Sequence, residues 1–298
     1  MVDIIIPHYH EPESVIKNLL DSLEVQQDAE FKVIIINDGK EVILSEEFLK
    51  RYTFPIEYHI EEWHGLSAAR NKGLEYATSD YVMFCDADDM FFHAYGLVMV
   101  SANIPFDVLI SSFIEETPQQ FIVREDSPVY VHGKVYRRKF LLDNQIRFNE
   151  RLMVNEDSAF NMMCIFLSQN TKRSQNAFYI WKYREDSTVR KDPYYRQRSH
   201  PYLTMGGHDL VEEFLKRDRK ADAASVVCAH VFNTYRMIKR EEWQDELKKK
   251  ALDAFFDFFD EFKYLWQETE LDSKLFMLSM GENRGITLEE VDQFLQRA

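Results

Sequence analysis

Three aspartates, Asp86, Asp88 and Asp89, close the apolar run Tyr81-Val82-Met83-Phe84-Cys85. Carboxylates this close repel one another unless a cation neutralises them, and hard divalent ions such as Mg²⁺ prefer one or two carboxylates together with phosphate oxygens. The chemistry that suits the pattern is a divalent metal carrying a diphosphate. The plainer alternative is a helix start with a solvated acidic turn, because aspartate is favoured at helix N-caps. Other segments bring polar groups to matching places. Val2 to Ile6 runs into Pro7-His8-Tyr9-His10-Glu11, and Lys32 to Ile36 runs into Asn37-Asp38-Gly39. Gly65-Leu66-Ser67-Ala68-Ala69-Arg70-Asn71-Lys72-Gly73 opens a helix whose small residues permit close backbone approach. Its N-terminus favours anions, and Arg70 supplies a planar donor fork. The segment is neither a Walker A loop nor a G-x-G-x-x-G dinucleotide fingerprint.

The elements that must position these groups read as α/β. Val2–Ile6, Lys32–Ile36, Ile56–Ile60 and Tyr81–Cys85 are near-continuous β-branched and aromatic runs, as expected of strands buried on both faces. Pro12 with Val15, Ile16, Leu19, Leu20 and Leu23 predicts one helix, and Ser67 to Ala77 predicts another. Alternating strands and helices imply a mostly parallel sheet, and open sheets of this kind bind ligands at the carboxyl edge. Further on, Phe106–Phe113, Phe121–Val123 and Ala177–Tyr183 read as strands, with helices over Arg137–Asn144 and Glu156–Leu167. Pro193, Pro201 and Gly206-Gly207 place a boundary near residue 200, giving a domain over 1–200 and a helical region over 201–298. In the latter, Phe255, Phe256, Phe259, Phe262 and Trp266 trace one stripe, fit either for an oligomer interface or for packing against the first domain.

Composition narrows the classes. The chain has 298 residues, 45% hydrophobic and 29% charged, which excludes collagen-like and disordered readings. A formal charge of −15 opposes bulk duplex DNA binding, although local basic runs at Lys134, Arg137, Arg138 and Lys139, and at Lys182, Arg184, Arg190, Lys191, Arg196 and Arg198, offer places for an anion. Cys85, Cys164 and Cys228 are dispersed in apolar surroundings and read as buried thiols. With no signal peptide and no long apolar span, the protein is read as soluble and cytoplasmic.

At this point the chain resembles the family 2 glycosyltransferases of GT-A fold, over roughly Val2 to Arg190. The resemblance rests on five motifs in order: Ile4-Ile5-Ile6-Pro7-x-Tyr9, Ile34-Ile35-Ile36-Asn37-Asp38-Gly39, Gly65-Leu66-Ser67-Ala68-Ala69-Arg70-Asn71-x-Gly73, Asp86-Ala87-Asp88-Asp89 and Asn155-Glu156-Asp157. It implies a metal-dependent, inverting transfer from a nucleotide-sugar, most simply a UDP-sugar. In that reading Asp88 binds Mn²⁺ or Mg²⁺ on the diphosphate, Asp86 reaches ribose or metal, and Pro7, Tyr9, Glu11, Asp38 and Arg70 surround base and ribose. Asp157 is the general base and Glu156 orients the site or rivals it. Arg184 or Arg190 contacts phosphate from the segment that starts at Tyr183. The bland readings are core packing for Tyr9, an Asp-Gly turn for Asp38 and a helix cap for Asn155 to Asp157. His10, Asn37 and Lys40 depart from the family's usual residues, which leaves the base and sugar open. His200 or His208 is a candidate to complete the metal shell. The family's commonest acceptors are cell-surface polysaccharides, teichoic-acid-like polymers and protein glycans. Two alternatives stand beside this one: transfer to a hydroxylated base in nucleic acid, gripped by the basic runs, and a noncatalytic nucleotide-binding module that assembles through its helical tail.

Overall fold

The computed structural model describes residues 1–101, 104–185, 187–279, 283 and 285–296. Its first strand, β1 (Val2–His8), is buried along its whole length, because the run of isoleucines has a layer of helix on each side. Ile4 and Ile6 pack with Ile16, Leu19 and Leu20 of α1 (Glu13–Glu24), for which Pro12 is the N-cap. Ile5 points the other way, as the period of a strand demands. It joins Ile34 and Ile36 of β2 (Phe31–Asp38) and Ala69 and Leu74 of α3 (Leu66–Tyr76). Between β2 and α3 lie α2 (Glu46–Leu49) and β3 (Ile56–Glu61). β1 pairs in parallel with β2 and with β4 (Tyr81–Phe84), and β2 with β3. The register sets His8 beside Asn37 and Asp38 beside Glu61, so the polar strand ends share one edge.

That packing leaves no room for a side chain on Gly73. A Cβ there would sit 2.2 Å from Cγ2 of Ile5. Gly73→Ala is expected to destabilise the protein by about 1–3 kcal/mol through overpacking. Urea unfolding checks this, and an unchanged midpoint would show that the helix can lift off the sheet at no cost.

The chain continues through β5 (Met90–Phe91), α4 (Gly96–Ser101), β6 (Val108–Ser111), β7 (Phe113–Glu116), β8 (Phe121–Arg124), β9 (Lys134–Arg137), α5 (Arg138–Asp143), α6 (Glu156–Leu167), β10 (Thr171–Ser174) and β11 (Tyr179–Trp181). The main sheet has the order β10-β6-β9-β4-β1-β2-β3, in which β9 alone runs against its neighbours. A second sheet, β5-β11-β7-β8, stands beside it. The single strand expected over Phe106–Phe113 is thus two, broken at Ser112, whose N–H bonds the Ser174 carbonyl as the chain leaves one sheet for the other.

Most cations of the basic runs have partners within the protein. Lys134 is buried, with its amine on the Tyr130 carbonyl, and Arg137 pairs with Asp107. Arg138 donates to the Ser79 carbonyl, and Lys139 pairs with Asp143. In the second run, Lys182 pairs with Glu116, Arg184 with Asp88, Arg196 with Glu241 and Arg198 with Asp192. Most of these cations neutralise neighbouring acids, while Lys134 and Arg138 bond backbone carbonyls.

Two compact units divide the chain, Met1–Glu185 and Asp186–Ala298. The division comes earlier than residue 200 because Pro201 and Gly206-Gly207 do not punctuate a linker; they lie inside a helix. After α7 (Thr188–Lys191), α8 (Tyr195–Lys216) carries all three, followed by α9 (Lys220–Arg240), α10 (Asp245–Glu268), α11 (Leu271–Ser279) and α12 (Leu288–Leu295). The aromatic stripe of α10 is buried within this unit: Phe255 and Phe258 meet His230 of α9, Phe262 meets His208 of α8, and Trp266 meets Phe232. Those rings are therefore covered by their own unit and are not a free oligomer face. Among the described residues, no helix is long and apolar enough to cross a membrane.

Candidate active site

At the carboxyl edge of the main sheet, Arg70 is the organising cation. It lies in the first turns of α3 with its side chain 1% exposed, over the face of Phe148. Its guanidinium donates to Asp86 at 2.9 Å, to Glu156 at 3.1 Å and to Asp157 at 2.6 Å. One arginine therefore joins the acidic end of β4 to the start of α6. The arginine expected to line base and ribose faces inward and is engaged by three carboxylates.

Those carboxylates differ in electrostatic state. Burial pushes Asp86 up, but Arg70, with a smaller contribution from His132, outweighs it and holds the group below its ordinary value. Burial, then the Asp86 charge, pushes Asp88 up, although Arg184 at 3.0 Å opposes this. Asp89 is fully buried, and burial followed by its two acidic neighbours drives it well above the ordinary range. It accepts hydrogen bonds from Tyr179 Oη at 2.5 Å and from the Lys182 N–H at 2.8 Å. Glu156 is raised to about 7, by burial and then by Asp157, against the pull of Arg70. Asp157 accepts from Arg70 on one oxygen and from the Val131 N–H, at 3.1 Å, on the other.

The remaining expected residues fall around this cluster. Pro7 is buried in β1 opposite Ile36. Tyr9 is exposed, its ring against Gly39, where φ of +137° suits glycine. The Glu11 carboxylate accepts from the Tyr9 N–H, and its charge contributes to raising Asp88. Asp38 is more than a turn residue: both its oxygens are bonded, to the N–H groups of His64 at 2.7 Å and Gly65 at 2.8 Å, so it fixes the loop that leads into α3. Asn155 precedes α6 in left-handed conformation, φ 65°, with no side-chain cap bond, so the helix-cap reading of this motif does not account for it. Of the segment resembling the family's diphosphate flap, Asp186 lies outside the described residues.

His132 escaped sequence reasoning, in which Lys134 figures only as part of a basic run. His132, buried just before β9, stacks between Tyr130 and Tyr179, with its Nδ1 3.9 Å from Asp89. That nitrogen has no hydrogen-bond partner. Lys134 is lowered to about 8 by burial, with Asp157 the chief opposing charge. A single histidine far from the acidic run carries no spacing signal; only β9 brings it near. His200 and His208 belong to the helical unit, where His200 bonds Thr234 at 3.0 Å and His208 approaches Glu261 at 3.1 Å. As for a metal, Asp86 and Asp88 each keep about a third of the side chain exposed, and Asp88 is raised by burial and then by the Asp86 charge, so this donor set fits a hard divalent ion that also takes phosphate oxygens.

A model of glycosyl transferase family 2 matches residues 3–153. The chain belongs to glycosyl transferase family 2. Its named relatives include glycosyltransferases. The glycosyltransferase GlyA of Streptococcus pneumoniae is 26% identical over 223 residues, 63% of this chain and 31% of GlyA. The teichoic acid poly(glycerol phosphate) polymerase of Staphylococcus epidermidis is 29% identical over 178 residues, 52% of this chain and 25% of the polymerase. The chain thus spans less than a third of the length of either. The structure of S. aureus TarS 1–349 with UDP-GlcNAc superposes with a TM-score of 0.69 at 21% identity, covering 87% of this chain and 80% of that one. This family 2 chain therefore has the GT-A fold, as its sequence predicts.

Proposed function

We propose that this glycosyltransferase moves a sugar from a UDP-sugar, with inversion and with the help of a divalent metal, to a hydroxyl of a cell-surface polymer. The observation that carries the reading is the span of Arg70: a single guanidinium holds Asp86, on the metal side, and Asp157, the candidate base, within hydrogen-bond reach. The likeness to TarS, solved with UDP-GlcNAc, supports the donor class, and the polymer-directed relatives support the acceptor class.

Asp86 and Asp88 would hold the metal, which when bound offsets charge on the departing diphosphate. Arg184, now on Asp88, is placed to shift its donors to a phosphate oxygen. Asp157 takes the proton of the acceptor hydroxyl as its oxygen attacks the anomeric carbon from the face opposite the diphosphate. Both Asp157 oxygens already accept one bond, yet each keeps a second lone pair for that proton. Glu156 and Arg70 fix its direction.

A thermal-shift panel of UDP- and GDP-sugars, with and without Mn²⁺, tests the donor. A ligand at 100 times its Kd stabilises the folded state by about 2.7 kcal/mol. At least one UDP-sugar with Mn²⁺ should raise Tm above that with Mn²⁺ alone, and Asp88→Asn should lose the metal-dependent part of that nucleotide-induced rise. No response to any UDP-sugar would overturn the donor assignment.

A further inference from the structure

Behind the Asp86–Asp88 edge lies a second group of ligand atoms. One oxygen each from Asp86 and Asp89 and one ring nitrogen of His132 lie within 4.8 Å of one another. His132 is 4% exposed, and its Nδ1 stands 3.9 Å from Oδ2 of Asp89 with no hydrogen-bond partner. That gap is too long for a hydrogen bond. The pair fits a shared cation, since two ligands each about 2.1 Å from one ion lie no more than about 4.2 Å apart, and the Asp86 oxygen, within 4.8 Å of both, would have to draw in by up to about 0.6 Å. The plane of the imidazole is held by its neighbours. Its ring stacks on Tyr179 with centroids 5.2 Å apart and 15° between planes, and on Tyr130 at 5.6 Å and 14°. The next residue, Gly133, takes φ of +67° with the carbonyls of Ser111 and Ser112 each 3.1 Å from where a Cβ would stand. The other side is equally fixed: Tyr179 Oη bonds Asp89 and also accepts the Asp86 N–H at 3.0 Å.

We propose that Asp86, Asp89 and His132 form an inner cation site that takes a first-row transition ion such as Mn²⁺ in preference to Mg²⁺ and binds it without nucleotide. Two carboxylates alone suit Mg²⁺ and Mn²⁺ alike; an imidazole in the set favours the transition ion. The site shares Asp86 with the donor-metal edge and in that respect rests on the proposed function, but its ligands are complete without a diphosphate.

The test is Mn²⁺ binding to the full, nucleotide-free chain, read by electron paramagnetic resonance in excess Mg²⁺. Wild type should retain Mn²⁺, with nitrogen coupling from one histidine in the pulsed spectrum. His132→Phe, which keeps the stacked ring and removes the ligand, should weaken retention by at least about ten-fold. Asp89→Asn, which removes a second ligand charge, should weaken it likewise, and neither effect should need added UDP, which separates this site from the nucleotide-dependent one. Failure of wild type to retain Mn²⁺, retention without nitrogen coupling, or equal retention by His132→Phe would each overturn the proposal. Should His132→Phe not fold, the wild-type nitrogen coupling decides alone.

Discussion

Arg70→Met is expected to destabilise the protein by about 3–5 kcal/mol at pH 8 and to abolish transfer, because it leaves several buried charges without their cation. Asp86, Glu156 and Asp157 all lie within 3.1 Å of the guanidinium, and methionine fills the space over Phe148 without offering a donor. The sign with pH follows from the same geometry. With Arg70 gone, the crowded carboxylates take up protons more readily in the folded chain than in the unfolded one. Acid therefore relieves the repulsion, and the cost should shrink as pH falls from 8 towards 5.5. Urea unfolding at the two pH values measures both effects. A variant within about 1 kcal/mol of wild type at pH 8 would mean that the carboxylates relax apart and that Arg70 does not organise the cluster. Arg70→Lys should recover part of the stability and little of the activity, since one ammonium cannot reach three carboxylates with the fork geometry that holds Asp157.

The same residue marks how far the sequence could be read. The strands that build the edge were legible because their isoleucine runs, buried on both faces, stop abruptly at polar residues, and the helix over Glu156–Leu167 has the observed bounds. What lay beyond reach was the direction of the side chains. Arg70 carries a motif that suggests a ligand contact, yet facing a nucleotide or facing other protein acids depends on α6, which arrives much later in the chain. β9 was hidden because Lys134 and Arg137 read as a basic run; burial of Lys134 is eased by the Tyr130 carbonyl and by the charge of Asp157. The Phe106–Phe113 run reads as continuous because only Ser111-Ser112 separates Ile110 from Phe113; the change of sheet at Ser112 lies in the pairing of β6 with β10 and of β7 with β11. Pro201 misled in the opposite sense, being accommodated inside α8. Asp89 and His132 had no signal beyond a third aspartate and a lone histidine.

Asp157→Asn should lower the rate of transfer by about 10²–10⁴ with little change in stability, the usual worth of a general base. The asparagine oxygen can still accept from Arg70 or from the Val131 N–H, so the loss falls on proton removal. A loss smaller than ten-fold would move the base elsewhere, and Glu156 is the competitor, being raised to about 7 by burial and by Asp157. Their roles separate by pH. Below about pH 7 the Glu156 carboxyl carries a proton, and Glu156→Gln imitates that neutral form at every pH. If Glu156 only orients Arg70 and Asp157, then kcat/KM of wild type should fall on acidification through pH 7 by the same modest factor that Glu156→Gln costs at pH 8, and the variant's profile should be flat there. If instead Glu156 removes the proton, its glutamine variant should lose the full 10²–10⁴ while Asp157→Asn stays active. The two outcomes cannot both hold, because one acceptor hydroxyl gives up one proton to one carboxylate.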